Sequence, residues 1–556
     1  MSTFDGLLDA IRDDPGDDTP RLVLADWFDD HDEPRRAELI RVQCLLARLP
    51  AGHDLRPELE ARERGLLLLH ERGWADLPEA AAGTFRRGFL DRLAVPARLL
   101  LREPERLMGQ GTVTELELKF EDYAELERVA DLPVLRSVRR LTLRGQHLHQ
   151  GGLNALLDSP FLARLEGVAL RCRTVSRRGL RRLRQGLATL RELEIAGADG
   201  FAVSDLVALL PDEPSALERF AVIDTRTGAE IGNRLGACPH LGRLRDLTLR
   251  NVNLDDDGLA ALGRADFAAG VERLTLSWNE TFDRSPEVVL HDDLGFRNLR
   301  VLDTTGCTFD WDAEPERPCS FEPHLRELSL SVRRHPFGAG LARWLRQGCT
   351  VGLVALNVTP EDDLRWDTAA ALLDTLAHSP TLARLRKLRL GSWLHHDQLA
   401  GLLSGPNARC WRHLELTYSN LQGGLGPLLD GDELHLRRLA LTRCWLNDLD
   451  AEALADCPWL SDLRELDLSG NDLGDRAVDC LVRSPYLRRL TSLDLSRNRI
   501  TDGGRLVGSY LANPAILNLA DNRLREGADD LLRAGVEAMR AALAVPVLAD
   551  LSDAAP

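Results

Sequence analysis

The sequence predicts an α/β solenoid. Short parallel strands line a concave face, helices back them on the convex side, and a small helical domain caps the N-terminus. Three observations carry this expectation. An L-x-L core recurs at intervals of 24 to 32 residues through most of the 556-residue chain. A serine or cysteine followed by proline recurs between one core and the next. The first 85 residues show helical rather than strand spacing of their apolar side chains.

The cores are clearest late in the chain. Leu463-Arg-Glu-Leu466-Asp-Leu468-Ser-Gly-Asn471-Asp-Leu473 reads LxxLxLxxNxL. Leu490-Thr-Ser-Leu493-Asp-Leu495-Ser-Arg-Asn498-Arg-Ile500 repeats it 27 residues on, and Ile516-Leu517-Asn-Leu519-Ala-Asp-Asn522-Arg-Leu524 is a third copy. Aligning the first residue of each L-x-L places anchors at 116, 141, 168, 193, 220, 247, 274, 302, 328, 356, 388, 414, 439, 466, 493 and 517. An earlier degenerate unit is Leu90-Asp-Arg-Leu93-Ala-Val95. Side chains alternate along a strand, so the two leucines of L-x-L share one buried face. A polar turn and a helical stretch follow each core. In the unit after Leu473, Asp475 stands where a helix cap belongs, ahead of Ala477, Val478, Leu481 and Val482. Strand, helix and parallel strand is the unit that stacks. The exits Ser159-Pro160, Cys238-Pro239, Ser379-Pro380, Cys457-Pro458 and Ser484-Pro485 end each helix and hold the chain extended toward the next strand.

These motifs resemble the leucine-rich repeat family, of the longer helix-containing type seen in ribonuclease inhibitor. The resemblance covers roughly residues 110–530, is most specific over 436–525, and thins at 193–225 and 299–360, where the asparagine is missing. It implies that the ninth-position asparagine bonds backbone groups of adjacent turns, with Cys307 and Cys444 accepted in its place. The strings DDTPRLVLADWFDDH and PRRAELIRVQCLLARLP resemble the helical repeat-companion domain that precedes such repeats in some bacterial proteins. Phe4, Leu7, Leu8 and Ile11 predict its first helix, Thr19 and Pro20 the start of a second through Asp30, Leu39, Val42, Leu46 and Leu49 a third, and Glu58–His70 a fourth. The expected organisation is a helical domain over 1–85, a transition with the degenerate repeat over 86–110, about sixteen repeats over 111–530, and a terminal helix with a tail over 531–556.

Charge and cysteine usage bound the function. The net charge is −17, and residues 1–33 alone hold eleven Asp and Glu against two Arg, which disfavours nucleic acid as a partner. No apolar run approaches the roughly 20 residues of a membrane span. The acidic start MSTFDGLLDAIRDD lacks the pattern of a secretory signal, and the ten cysteines include no C-x-x-C pair. Free thiols in a reducing cytoplasm are the expectation. No phosphate-binding loop, dinucleotide fingerprint, H-E-x-x-H or nucleophile elbow occurs. His395-His396-Asp397 reads as a solvated turn. The acidic stretch Asp13–Glu33 lacks the spacing of a calcium loop. No catalytic, cofactor or metal site is expected. The irregular 299–350 stretch and the long unit spanning 356–388 are the only places with room for a catalytic cleft.

Binding chemistry is expected on the strand face. The seventh-position column begins Lys119, Arg144, Arg171 and resumes at Arg250. The third-position column holds Arg140, Arg219, Arg273, Lys387 and Arg438, interrupted by Glu115, Glu192, Asp246, Glu327 and Glu465, and Arg389 stands at a fifth position. This early basic bias suits a protein partner with an acidic patch; the alternative is pairing of Arg with Glu between neighbouring strands. Trp278 and Tyr418 fall at eighth positions, Trp393 at a ninth, and Trp445 follows Cys444. These rings either bind a partner or fill gaps between loops. The expected site is therefore Arg140, Arg144, Arg171, Arg250, Arg273, Trp278, Arg389, Tyr418 and Trp445, on a non-enzymatic protein-interaction scaffold. A sensor or regulatory subunit, its acidic N-terminal domain coupled to an effector enzyme, is the second expectation.

Overall fold

The structure is a computed structural model. It describes residues 3–49, 55–109, 112–198, 200–225, 227–228, 230–279, 281–282, 295–309, 324–332, 337–347, 350–360, 370–391, 394–429, 434–502 and 516–523. The chain divides into two units, one of residues 1–49 with 72–362 and one of residues 50–71 with 363–556. The expected terminal helix and tail over 531–556 lie outside the described residues.

In the first unit, helices α1 (Thr3–Asp13), α2 (Thr19–Asp30) and α3 (Pro34–Arg48) close around Leu8, Ile11, Leu24, Phe28, Ile40 and Cys44. Helix α4 runs Arg56–Trp74. The start of α2 differs from expectation. Thr19 does not cap it; Asp17 Oδ1 accepts the Thr19 N–H at 2.8 Å. Asp18 at the cap position is buried and pairs with Arg48 at 2.9 Å and Arg87 at 3.3 Å. A hairpin that the repeat pattern does not foretell follows: β1 (Ala82–Arg86) runs antiparallel to β2 (Phe89–Pro96). Its turn sits in the helices. Gln43 accepts the Gly88 N–H and donates to the Phe85 carbonyl. Gly88 has φ +88°, and a Cβ there would lie 2.1 Å from Ile40, so only glycine fits. Arg36, buried, lies 4.9–5.4 Å from the ring centres of Trp74, Phe85 and Phe89. Phe89 completes the helical core.

From β2 onward the main sheet of this unit is parallel. It continues through β3 (Glu115–Lys119), β4 (Arg140–Leu148), β5 (Gly167–Val175), β6 (Glu192–Ala196), β7 (Arg219–Ile223), β8 (Asp246–Arg250) and β9 (Arg273–Thr275). Strands β10 (Thr281–Phe282) and β12 (Thr308–Phe309) pair separately, while β11 (Val301–Thr304), β13 (Glu327–Val332) and β14 (Ala355–Pro360) extend the main sheet. Leu93, Leu116, Leu141, Val168, Leu193, Phe220, Leu247, Leu274, Leu302, Leu328 and Leu356 stand opposite one another from strand to strand, all buried. These are the predicted anchors, so the register holds through both stretches that lack asparagine.

The second unit repeats the scheme with β15 (Lys387–Gly391), β16 (His413–Thr417), β17 (Arg438–Thr442), β18 (Glu465–Asp467), β19 (Ser492–Asp494) and β20 (Ile516–Asn518). Leu388, Leu414, Leu439, Leu466, Leu493 and Leu517 hold the same register. Each fully buried leucine contributes about 2 kcal/mol.

Polar bonds fix the spacing between repeats. Asn471 Oδ1 accepts the N–H groups of Cys444 and Leu446, while its Nδ2 donates to the carbonyls of Leu441 and Leu468. Asn279, Asn498 and Asn522 do the same one repeat at a time. The thiols of Cys307 and Cys444 reach the carbonyls of Leu276 and Leu416, reproducing the donor half of that pattern. Burial pushes the Cys444 thiol up to about 12, which suits a structural donor and not a nucleophile. The exit residues act likewise: Ser159 donates to the Ala130 carbonyl, Cys238 to Pro211, Cys457 to Leu429 and Ser484 to Ala455, each in the preceding repeat. Asp475 does not cap its own helix. Its carboxylate accepts the Thr501 and Asp502 N–H groups of the next repeat, as Asp448 accepts Gly474.

Replacing Asn498 with alanine orphans the Leu473 N–H in the interior and takes one of two asparagine donors from each of the Leu468 and Leu495 carbonyls. The expected cost is about 1–3 kcal/mol, the penalty of one buried unsatisfied group. Thermal melting and faster amide exchange at Leu473 check it; an unshifted transition contradicts it.

Candidate functional site

The alternation that buries positions four and six of each repeat turns positions three, five and seven outward, and the arginines expected there do project from the strand face. They do not form a free cationic stripe. Arg140 pairs with Glu115 at 2.9 Å on one side and with Glu192 on the other, where Arg219 joins it. Arg144 meets Glu117 at 3.5 Å, Arg171 meets Glu194 at 2.8 Å, and Arg250 meets Asp224 at 2.9 Å. Arg273 meets Asp246 at 3.5 Å, and in the second unit Arg389 meets Glu415 at 3.2 Å. The expected basic bias is therefore largely neutralised across neighbouring strands, and the cause is register. In-register residues of adjacent strands stand about 4.8 Å apart, where like charges repel and opposite charges pair. The two lysines, Lys119 and Lys387, are both exposed on the strand face, and among the described residues no carboxylate pairs with either. His413 stands in register between Lys387 and Arg438, and burial together with those two cations pushes its imidazole down to about 4.

One depression, of about 260 Å³, opens on the first unit's strand face. Thr142, Gly167, Ala169, Ala221 and Thr248 are among its lining residues, with Arg140, Glu192, Arg219 and Asp246 around them. Gly167 stands between Arg140 and Glu192 in register, and a Cβ there would come within 3.1 Å of Glu192 and 3.2 Å of Arg140. The glycine is the notch that lets that pair close over an intervening strand. Burial holds the Asp246 carboxyl above its ordinary range and the Arg219 guanidinium below its own. Every charged group here has a partner of opposite sign, so the depression has the chemistry of a structural ion-pair ladder.

The rings are different. From β6 onward the eighth position of most described repeats takes the left-handed backbone conformation: Gly197, Gly306 and Gly470 have φ of +63°, +77° and +70°, and Asp224, Asn251 and Asp521 join them. Glycine, asparagine and aspartate tolerate that conformation. Trp278 and Tyr418 hold it at +62° and +56°, and Trp445, two residues beyond an eighth position, at +61°. Bulky side chains there cost of order 1–3 kcal/mol each. Burial does not offset this cost, because Trp278 is 58% exposed, Tyr418 46% and Trp445 59%. Trp278 lies against Gly306, where a Cβ would be 2.6 Å from its ring. In the second unit Arg443, at the next eighth position with φ +53°, lies 4.9 Å from the ring centre of Tyr418, donates to its hydroxyl, and rests its stem on Gly470. Arg443 is a residue that sequence reading missed. The available signal was a bulky cation at a position that six of the left-handed turns fill with glycine, asparagine or aspartate. Trp393 lies outside the described residues.

The other candidates do not assemble. His396 Nε2 lies 3.4 Å from Asp397 at an exposed helix start, and the His395 N–H is taken by Gln398. Among the described residues no group of three His, Cys, Asp or Glu could hold a metal ion. No helix among them is long and apolar enough to cross a membrane. Residues 310–323, 333–336, 348–349 and 361–369 of the stretches with room for a cleft lie outside the described residues.

A ring kept for contact and a ring kept for packing give different melting behaviour. Trp445→Gly is expected to leave stability within about 1 kcal/mol of wild type, because relief of the left-handed strain offsets the lost contact. Trp411→Ala, removing a fully buried ring, is expected to cost about 4 kcal/mol. Equal losses in thermal melting contradict the distinction.

Comparison with known proteins agrees with the repeat pattern. Residues 434–455, 460–482 and 487–506 match the leucine-rich repeat family. A crystal structure of an internalin from Listeria monocytogenes is similar at 18% identity and a TM-score of 0.32, covering 70% of this chain and 88% of that one. No curated protein matches the chain. Residues 434–506 are thus leucine-rich repeats, in the same register as the cores before them in their own unit, and the ladder of buried anchors in the first unit follows the same pattern.

Proposed function

We propose that the chain is a non-enzymatic scaffold that binds protein, in each of its units, where strands turn into loops. The observation that supports this is the set of exposed rings held in the left-handed conformation: Trp278, Tyr418 and Trp445 are placed at a cost in backbone energy that their packing does not return. Trp, Tyr and Arg carry most of the energy at protein interfaces. Proteins keep strained side chains where a ligand needs them. The paired arginines of the strand face contribute register and specificity rather than a free field, since a partner must break Arg–Glu bonds to use them.

In this reading helices α1 to α3 cover the open end of the first sheet, because Phe89, Gly88 and Arg87 of the hairpin are buried or bonded in them. A repeat stack needs such a cover for its first apolar face. The cysteines among the described residues are unbridged, which supports residence in a reducing compartment.

The test is affinity capture from the native host with the full chain and its Trp278→Ala/Trp445→Ala variant as parallel baits, both first shown to melt alike. A partner held by the wild type and lost by the double variant is the expected result. Capture of the same proteins in the same amounts by both baits contradicts the assignment.

A further inference from the structure

We infer that Arg443, Tyr418 and Trp445 form a receptor for an acidic peptide segment, a carboxylate flanked by an apolar side chain. This deepens the proposed function and rests on its reading of the exposed rings. Arg443 differs from the arginines around it. The arginines of the neighbouring strand face and loops have acids: Arg389 has Glu415, Arg438 has Glu465, Arg497 has Asp521 and Arg499 has Asp472. Among the described residues Arg443 has none, and its contacts are the Tyr418 ring, the Tyr418 hydroxyl and Gly470. The nearest helix-start acids are committed elsewhere, Asp448 to the Gly474 N–H and Asp450 to those of Gly423 and Asn447.

The Arg443 guanidinium over the Tyr418 ring uses one N–H on the tyrosine hydroxyl, and among the described residues no acceptor takes the others, which leaves them as donors for a carboxylate. Stacking has already removed much of the side chain's freedom, so less entropy is lost when an anion docks. Its stem needs the bare Gly470, since a Cβ there would lie 2.7 Å from Arg443 Cγ. Exposed apolar side chains follow Arg443 closely in the sequence. Trp445 is 59% exposed, and Leu449, at the start of the following helix, is 61% exposed. Three consecutive features of one edge, Tyr418, Arg443 and Trp445, all carry φ between +53° and +61°. A neutral or basic segment would leave the guanidinium desolvated and unpaired, which is unfavourable. An acidic segment with an adjacent Leu, Phe or Trp satisfies both halves.

The test uses the full chain, immobilised and panned with a phage-displayed library of random linear peptides. The expected outcome is selection of sequences that share Asp or Glu beside an apolar residue. A synthetic peptide of that sequence is then titrated against variants. Arg443→Glu is expected to weaken it at least about tenfold, the loss of a charge-assisted bidentate contact. Arg443→Lys should fall between, and Trp445→Ala should weaken it by a comparable factor. Arg178→Ala, which removes an exposed arginine from the helix Arg177–Gly186, should leave binding unchanged. Should Arg443→Glu fail to fold, Arg443→Ala and Tyr418→Phe carry the same comparison. Selected peptides with no common acid, or acidic peptides that bind Arg443→Glu as tightly as wild type, overturn the inference. Peptides insensitive to Arg443→Glu but lost with Trp278→Ala overturn it while leaving the scaffold reading in place. A library that yields no binder overturns it too, and host capture then decides the scaffold reading separately.

Discussion

Two inward leucines on a strand of about five residues dictate most of this molecule. Burying positions four and six forces positions three, five and seven outward, and stacking in exact register lines those positions into columns about 4.8 Å apart. Charges so close cannot be arranged freely. The strand face accordingly alternates arginine with glutamate or aspartate, and one glycine, Gly167, is spent to let Arg140 reach Glu192 across a strand. From β6 onward the same stacking repeats a left-handed residue at the eighth position of most described turns, where the strand leaves the sheet. Hydrophobic register thus produces two surfaces of different character, a neutralised face and an edge of costly conformations.

The edge is where the chain departs from its own rules. Six of the positive-φ eighth positions carry glycine, asparagine or aspartate, which fit the backbone. Trp278, Tyr418, Arg443 and Arg497 do not, nor does Trp445 nearby. Arg497 has Asp521 beside it, so a local ion pair gives it a place. The rings are about half exposed and Arg443 has no acid among the described residues, and a protein stable through its core tolerates a few kcal/mol of this kind where function requires it.

The fold was legible because its main signal is thermodynamic. Leucines that must be buried recur at one spacing, and every anchor read from that spacing lies in a strand, including those at Leu302, Leu328 and Leu356 where asparagine is absent. Cysteine in place of asparagine was legible for the same reason: a thiol supplies the one donor bond that a carbonyl needs. Three things were not. The hairpin over Ala82–Pro96 is held by a single glutamine and by the space left at Gly88, neither of which makes a pattern. Asp475 looks like a helix cap in one dimension, yet its acceptors face the next repeat. The arginine columns read as basic because composition counts charges, whereas the electrostatic outcome depends on which acid stands one strand away.

Amide hydrogen exchange of the full chain, alone and bound to its captured partner, tests the central claim directly, since it shows where contact falls without presuming a residue. Slowed exchange at the backbone amides around Trp278, Tyr418 and Arg443–Leu449 is the expected result. Protection confined to the helix side, for example Arg177–Gly186, with these edge segments unchanged, would contradict it.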